Sequence, residues 1–105
     1  MAKKYYDSVN VAGKKTKHFQ VVMDKSATGY YVNQNIYSTA PIGKWSKRVD
    51  RIDRDNTKFY GKESSAKKNY DKKVVETKEL RDKYKSPKYH FKTHEDYQKF
   101  AESNK

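Results

Sequence analysis

Three groups of residues in this chain have the types and spacing that chemistry would need. The first is Asp50, Asp53 and Asp55, which could hold a divalent cation for phosphodiester cleavage if they converged. They alternate with Arg48, Arg51 and Arg54 beside a turn-like stretch, so local ion pairing is the simpler account. The second is His90-Phe91-Lys92-Thr93-His94-Glu95-Asp96. Two histidines at helical spacing can share a metal. Here Thr93 reads as a helix N-cap, which leaves His90 outside the helix and breaks that geometry. The third group is basic and aromatic. Lys14, Lys15, Lys17, Lys44 and Lys47 with Arg48, Arg51 and Arg54 could hold phosphates, and Tyr31 and Tyr37 could stack on bases.

The absences narrow the field further. The glycines, at 13, 29, 43 and 61, form no phosphate-cradling loop. Neither H-E-x-x-H nor G-x-S-x-G occurs. Cysteine is absent, which excludes disulfides and thiolate metal sites. The chain therefore reads as non-catalytic, with no cofactor and no metal.

Composition gives the class of partner. The net charge is +12, carried by 25 basic against 13 acidic residues, and it favours polyanionic partners. Only Arg48, Arg51, Arg54 and Arg81 are arginines. Lysine makes point-charge phosphate contacts, whereas arginine reads guanine edges bidentately. Lysine dominance thus argues for backbone binding over sequence reading. The start, MAKKYYDS, holds no apolar run, and no window is long enough to cross a bilayer. A cytoplasmic protein without membrane association is expected.

The elements that must position these residues follow from periodicity. Apolar residues are 33% of the chain and aromatics 14%, so the core is small and borrows from aromatics. Residues 17–37 read KHFQVVMD, KSAT, GYYVNQNIY, two β-prone runs around a polar loop. Pairing Asp24 with Gly29 sets Met23 opposite Tyr30 and Val21 opposite Val32. Phe19, Val21, Met23, Tyr30, Val32 and Ile36 then share a core-facing side. His18, Gln20, Val22, Tyr31, Asn33, Asn35 and Tyr37 share the other. Residues 1–12 add a strand, joined by a turn at 13–16. Residues 38–44 read as a loop punctuated by Pro41 and Gly43. Residues 45–60 read either as a helix on Trp45, Val49 and Ile52, or as two strands around Arg54-Asp55-Asn56. The strand pair is preferred, and Trp45 is expected in the core. No internal repeat is evident beyond a doubled Tyr-Tyr.

Residues 63–85 form the clearest helix, with Ala66, Tyr70, Val74, Leu80 and Tyr84 on one stripe and Ser64 or Ser65 as cap. Pro87 stops it. Residues 88–92 read as extended. Thr93 and Asp96 then form a capping box before a short helix, 94–103, with Tyr97, Phe100 and Ala101 on one face.

The expected architecture is a single α+β domain: an antiparallel sheet of three to five strands over residues 3–60, packed with both helices. The expected function is non-catalytic, weakly sequence-selective binding of nucleic acid, single-stranded DNA or RNA before duplex. The binding set is Lys14, Lys15, Lys17, Gln20, Tyr31, Asn33, Tyr37, Lys44, Lys47, Arg48, Arg51 and Arg54. A small basic chain of this kind also fits a phage or mobile-element factor that seizes an acidic host protein. The thin core leaves room for a homodimer.

Overall fold

Alternation in the first half of the chain resolves into four strands: β1 (Lys3–Ala12), β2 (Lys15–Ser26), β3 (Gly29–Pro41) and β4 (Lys47–Tyr60). They form one antiparallel sheet in the order β1-β2-β3-β4. Helix α1 (Glu63–Lys85) and helix α2 (His94–Ser103) follow, which makes the fold α+β. These details come from a computed structural model that describes residues 2–41 and 47–103. Lys44 and Trp45, and with them the expected core role of Trp45, lie outside the described residues. No described helix is long and apolar enough to cross a membrane.

The β2–β3 hairpin is tighter than expected. Ser26 pairs with Gly29, so Met23 faces Val32, Val21 faces Gln34 and Phe19 faces Ile36. The register differs from the predicted one by two residues, and an even shift preserves which side chains share a face. The reason is loop length: a two-residue connection, Ala27-Thr28, lets both strands keep pairing to their ends.

The second half of the sheet departs further from expectation. β3 runs on through residues 38–41, where Pro41 and Gly43 predict a loop. β4 is one strand and not two, so Arg54-Asp55-Asn56 is strand and not turn. Register shifts fall between Ile36 and Tyr37 and between Ser38 and Thr39. On β4, Arg54 pairs with Ile36 and Ile52 with Tyr37, which leaves Asp53 as the extra residue. Arg51 pairs with Ser38 and Val49 with Thr39, which leaves Asp50 as the second. Each is a β-bulge, and a bulge re-aims the side chains around it.

Both helices lie on one side of the sheet. Under the first half of α1, Val21, Met23 and Val32 pack against Ala66 and Tyr70, with Val74 partly buried beside them. Under α2, Val9, Val11, Phe19 and Ile36 pack against Tyr97 and Ala101, with Leu80 and Tyr84 partly buried. A polar layer separates the two clusters: Gln34 Nε2 donates to Thr77 Oγ1 at 2.9 Å, and both side chains are buried. Val75 is exposed on α1, as its place opposite the stripe requires. The cap differs from expectation, because Lys62 occupies the N-cap without a side-chain hydrogen bond. The first turn carries Glu63 instead, which suits the helix dipole. Residues 87–89 form a 3-10 turn, and Phe91 then bridges Ala12, its N–H donating to the Val11 carbonyl at 2.6 Å. The Thr93 cap holds: the Asp96 N–H donates to Thr93 Oγ1 at 3.1 Å.

Gly29 is not replaceable at low cost, for a steric reason. A Cβ there would collide with the backbone carbonyl of Tyr60, where β4 closes against the hairpin. Gly13, at φ +58°, turns β1 into β2 in open space. Gly29→Ala is expected to destabilise the fold by about 1–3 kcal/mol through overpacking. Gly13→Ala is expected to cost about 1 kcal/mol from backbone strain alone. Urea unfolding of the two variants against the parent measures both.

Candidate nucleic-acid interface

Among the described residues, the strand alternation leaves one whole side of the sheet without a helix. Across it, β1 presents Lys4, Tyr6, Ser8 and Asn10, and β2 presents His18, Gln20, Val22 and Asp24. β3 presents Tyr31, Asn33, Asn35 and Tyr37, and β4 presents Val49, Ile52, Asp55, Thr57 and Phe59. Of the predicted binding set, Gln20, Tyr31, Asn33 and Tyr37 lie together on this face. Tyr31 and Tyr37 are half-buried by their neighbours and not entombed.

Two aromatic clusters stand here. His18 stacks on Tyr37 with ring centroids 4.7 Å apart and planes 15° from parallel, and Tyr6 lies 5.8 Å beyond His18. The Tyr6 hydroxyl is 2.6 Å from His18 Nδ1, and His18 Nε2 is 2.9 Å from Thr39 Oγ1. Further along β3, Tyr31 and Phe59 have centroids 6.5 Å apart. Between the clusters Gln20 and Asn35 are direct cross-strand partners. With Tyr37, Val49 and Ile52 they line a depression of about 220 Å³. The side-chain oxygen of Asn35 is buried and has no partner. Asn33 is committed to β4 instead, donating to Asp55 and Thr57 at 2.9 Å each.

The predicted phosphate holders divide differently. Lys15 and Lys17 are each 2% exposed, on the helix-covered side of β2. Buried there, neither presents its ammonium to solvent, contrary to the expectation that they lie exposed for phosphates. Lys15 is paired with Asp50 and also donates to His94 Nδ1 at 2.9 Å. Lys17 is paired with Asp53, donates to the Tyr97 hydroxyl at 3.0 Å, and lies 4.5 Å from the Tyr84 ring centroid. A buried ammonium must be paired, and the alternation that buries Phe19 also buries the residues two and four before it. Arg48, Arg51 and Arg54 pair across to Ala40, Ser38 and Ile36, so all three share the helix side. Arg51 binds Asp53 at 3.0 Å and Arg54 binds Glu76 at 2.9 Å. Lys14 is exposed in the β1–β2 turn, and Lys47 is exposed at the same end, 3.5 Å from Thr16 Oγ1. Lys4 is exposed on the β1 edge. Many other exposed cations, among them Lys67, Lys68 and Lys72, are on α1, in the helical layer. The tyrosine-bearing face is thus cation-poor, with lysines at its rim, and not the basic surface expected.

The acidic trio does not converge. Asp50 and Asp53 turn toward buried lysines, while Asp55 lies on the open face with Asn33. Among the described residues no group of three or more His, Cys, Asp or Glu is placed to hold a metal ion.

Tyr6, His18, Asn35, Val49, Ile52 and Phe59 also stand on the open face and are not in the predicted binding set. A signal for the last group existed. Arg48-Val49-Asp50 and Arg51-Ile52-Asp53 repeat with a period of three, which one bulge per triplet converts into arginine inward, aliphatic outward. No protein-family model, curated protein or solved structure matches this chain.

Electrostatics distinguish the two sides. Burial opposes ionisation of Asp50, but the hydrogen bond and charge of Lys15, with His94 and Arg48 nearby, hold its carboxyl below the usual range. Burial pushes the Tyr97 phenol up to about 12, so it stays protonated. On the open face, burial and the charge of Lys47 lower the pKa of His18. Two outcomes follow. Asp50→Ala leaves the Lys15 ammonium buried without its carboxylate and is expected to cost about 3–5 kcal/mol in urea unfolding. Lys14→Ala, at an exposed neighbour, is expected to change little. As pH falls through the ordinary histidine value, the unfolded chain protonates before native His18 does, so the fold loses stability over that interval. Melting temperatures between pH 7.5 and 5, within the ordinary range of histidine titration, should fall less in His18→Gln than in the parent.

Proposed function

We propose that this protein binds single-stranded nucleic acid on its open sheet face, without catalysis and with weak sequence selectivity. The observation that carries the reading is the pair of aromatic clusters on one uncovered sheet, with side-chain amides between them. Tyr31 and Tyr37 are six residues apart on β3, which at strand rise is about 20 Å. A single strand laid along β3 would stack bases on Tyr37 at one end and on Tyr31 and Phe59 at the other. The depression lined by Gln20 and Asn35 would place side-chain amides near a base edge between them. Lys4, Lys14 and Lys47 would meet phosphates at the rim. The net charge of +12 adds long-range attraction for any polyanion. A duplex presents no unstacked bases to such a platform, so single strands are preferred. A cytoplasmic place of action belongs to the same proposal.

One observation favours a second reading. Val49, Ile52 and Phe59 are 57%, 58% and 69% exposed on the open side of β4, with Asp55 and Thr57 between Ile52 and Phe59. Exposed aliphatic and aromatic side chains with few charges among them suit the centre of a protein interface. In this reading the partner is an acidic host protein, apolar where it meets β4 and acidic around it, and the chain is a phage or mobile-element factor.

Titration of labelled single-stranded and duplex oligonucleotides at two salt concentrations separates the readings. Preferential, salt-weakened binding of single strands is expected, with a slope of about −0.7 per phosphate neutralised. Tyr31→Ala and Tyr37→Ala are each expected to remove about 1–3 kcal/mol of binding. Absence of binding at low salt, with the protein folded, would overturn the first reading. Capture of one acidic protein from host lysate, abolished by Ile52→Asp, would then support the second.

A further inference from the structure

A cavity of about 280 Å³ lies on the opposite side of the sheet, between the bulged stretch of β4, the second half of α1 and α2. Its apolar wall is Phe19, Ile36, Leu80, Tyr84 and Phe100. Its polar wall is Lys17, Arg51, Arg54 and Lys83 with one carboxylate, Asp53. Lys17 and Arg51 both spend their charge on Asp53. Arg54 shares Glu76 with Lys73, and the Lys83 ammonium lies over the Tyr89 ring at 5.5 Å. The cavity therefore has more cations than carboxylates to answer them, next to a hydrophobic wall. Water can solvate the cations of such a lining but gains nothing from its hydrophobic wall.

We propose that this cavity binds a small organic anion: a carboxylate or phosphate group on an aromatic or short aliphatic body. The body packs against Phe19, Ile36 and Leu80. The anionic group meets Arg51, Arg54 and Lys83 at the β4 side, where planar guanidinium groups suit two-oxygen contacts. Small-molecule sites commonly pair an apolar wall with a few convergent polar or charged groups, and this cavity has both, with the polar side the larger. The site is independent of the open sheet face, which it does not share.

The test is an NMR titration of the isotope-labelled full chain with benzoate, phenyl phosphate, inorganic phosphate and benzyl alcohol. Benzoate or phenyl phosphate should shift resonances of Phe19, Leu80 and Tyr84 saturably. The tighter of the two should bind at least about tenfold more strongly than inorganic phosphate and benzyl alcohol, since each of those lacks one half of the interaction. Lys83→Glu, at an exposed position, should weaken that binding about tenfold or more, and Leu80→Trp should block it by filling the space. If Leu80→Trp fails to fold, Lys83→Glu still decides. Equal binding of inorganic phosphate would reduce the site to surface ion attraction, and equal binding of benzyl alcohol would remove the anion from it. Unsaturable shifts with every probe would overturn the proposal. Oligonucleotide affinity measured with and without benzoate should not change, so this inference and the nucleic-acid reading fail or hold separately.

Discussion

Two lysines inside the protein dictate how the last strand joins the sheet. Lys15 and Lys17 stand on the same side of β2 as Phe19, Val21 and Met23, and the helices seal that side. Removing an ammonium group from water costs several kcal/mol unless a carboxylate receives it. β4 supplies Asp50 and Asp53, and both are the extra residues of β-bulges. A regular strand would have sent alternate residues to opposite faces, dividing Arg48, Arg51 and Arg54 between them. With a bulge in each triplet, the arginines all turn to the helix side and Val49 and Ile52 all turn out. The sparse charge of the open face is therefore a consequence of charge burial beneath the other one.

The long helix and the three-strand meander were legible because each rests on a single strong period. Residues 63–85 repeat at helical spacing and end before a proline, and the observed helix has those bounds. Strand faces survived an error in register because the hairpin slipped by an even number. β4 was illegible for the opposite reason. Its triplets fit neither a period of two nor one of 3.6, so the stretch divided into a supposed helix face or two short strands. Only a partner that demands inward carboxylates makes sense of the spacing.

The misplacement of Lys15 and Lys17 shows a conflict between two rules. Composition says that lysine is almost always at the surface. Alternation, extended back from Phe19, puts both residues in the interior. The tertiary structure obeys alternation because Asp50, Asp53, His94 and Tyr97 stand ready to receive the two ammonium groups. The open-face aromatics follow the same logic in reverse. His18 and Tyr37 share a face already from the hairpin alternation, but Tyr6 joins them only through the pairing of β1 with β2, and the contact of the rings follows from the observed register.

The uncovered face also has a reason to remain uncovered in the free protein. A second copy laid against it would bring together two chains of net charge +12, and long-range repulsion opposes that encounter before any apolar contact forms. The same field favours approach of a polyanion or an acidic surface. On the proposed reading, contact would fall on a face where few charges need to lose their water, so desolvation would cost little and the aromatic rings would supply the short-range attraction. Separating the cations from the rings would then divide the work of binding: the cationic layer would govern approach, and the open sheet what stays.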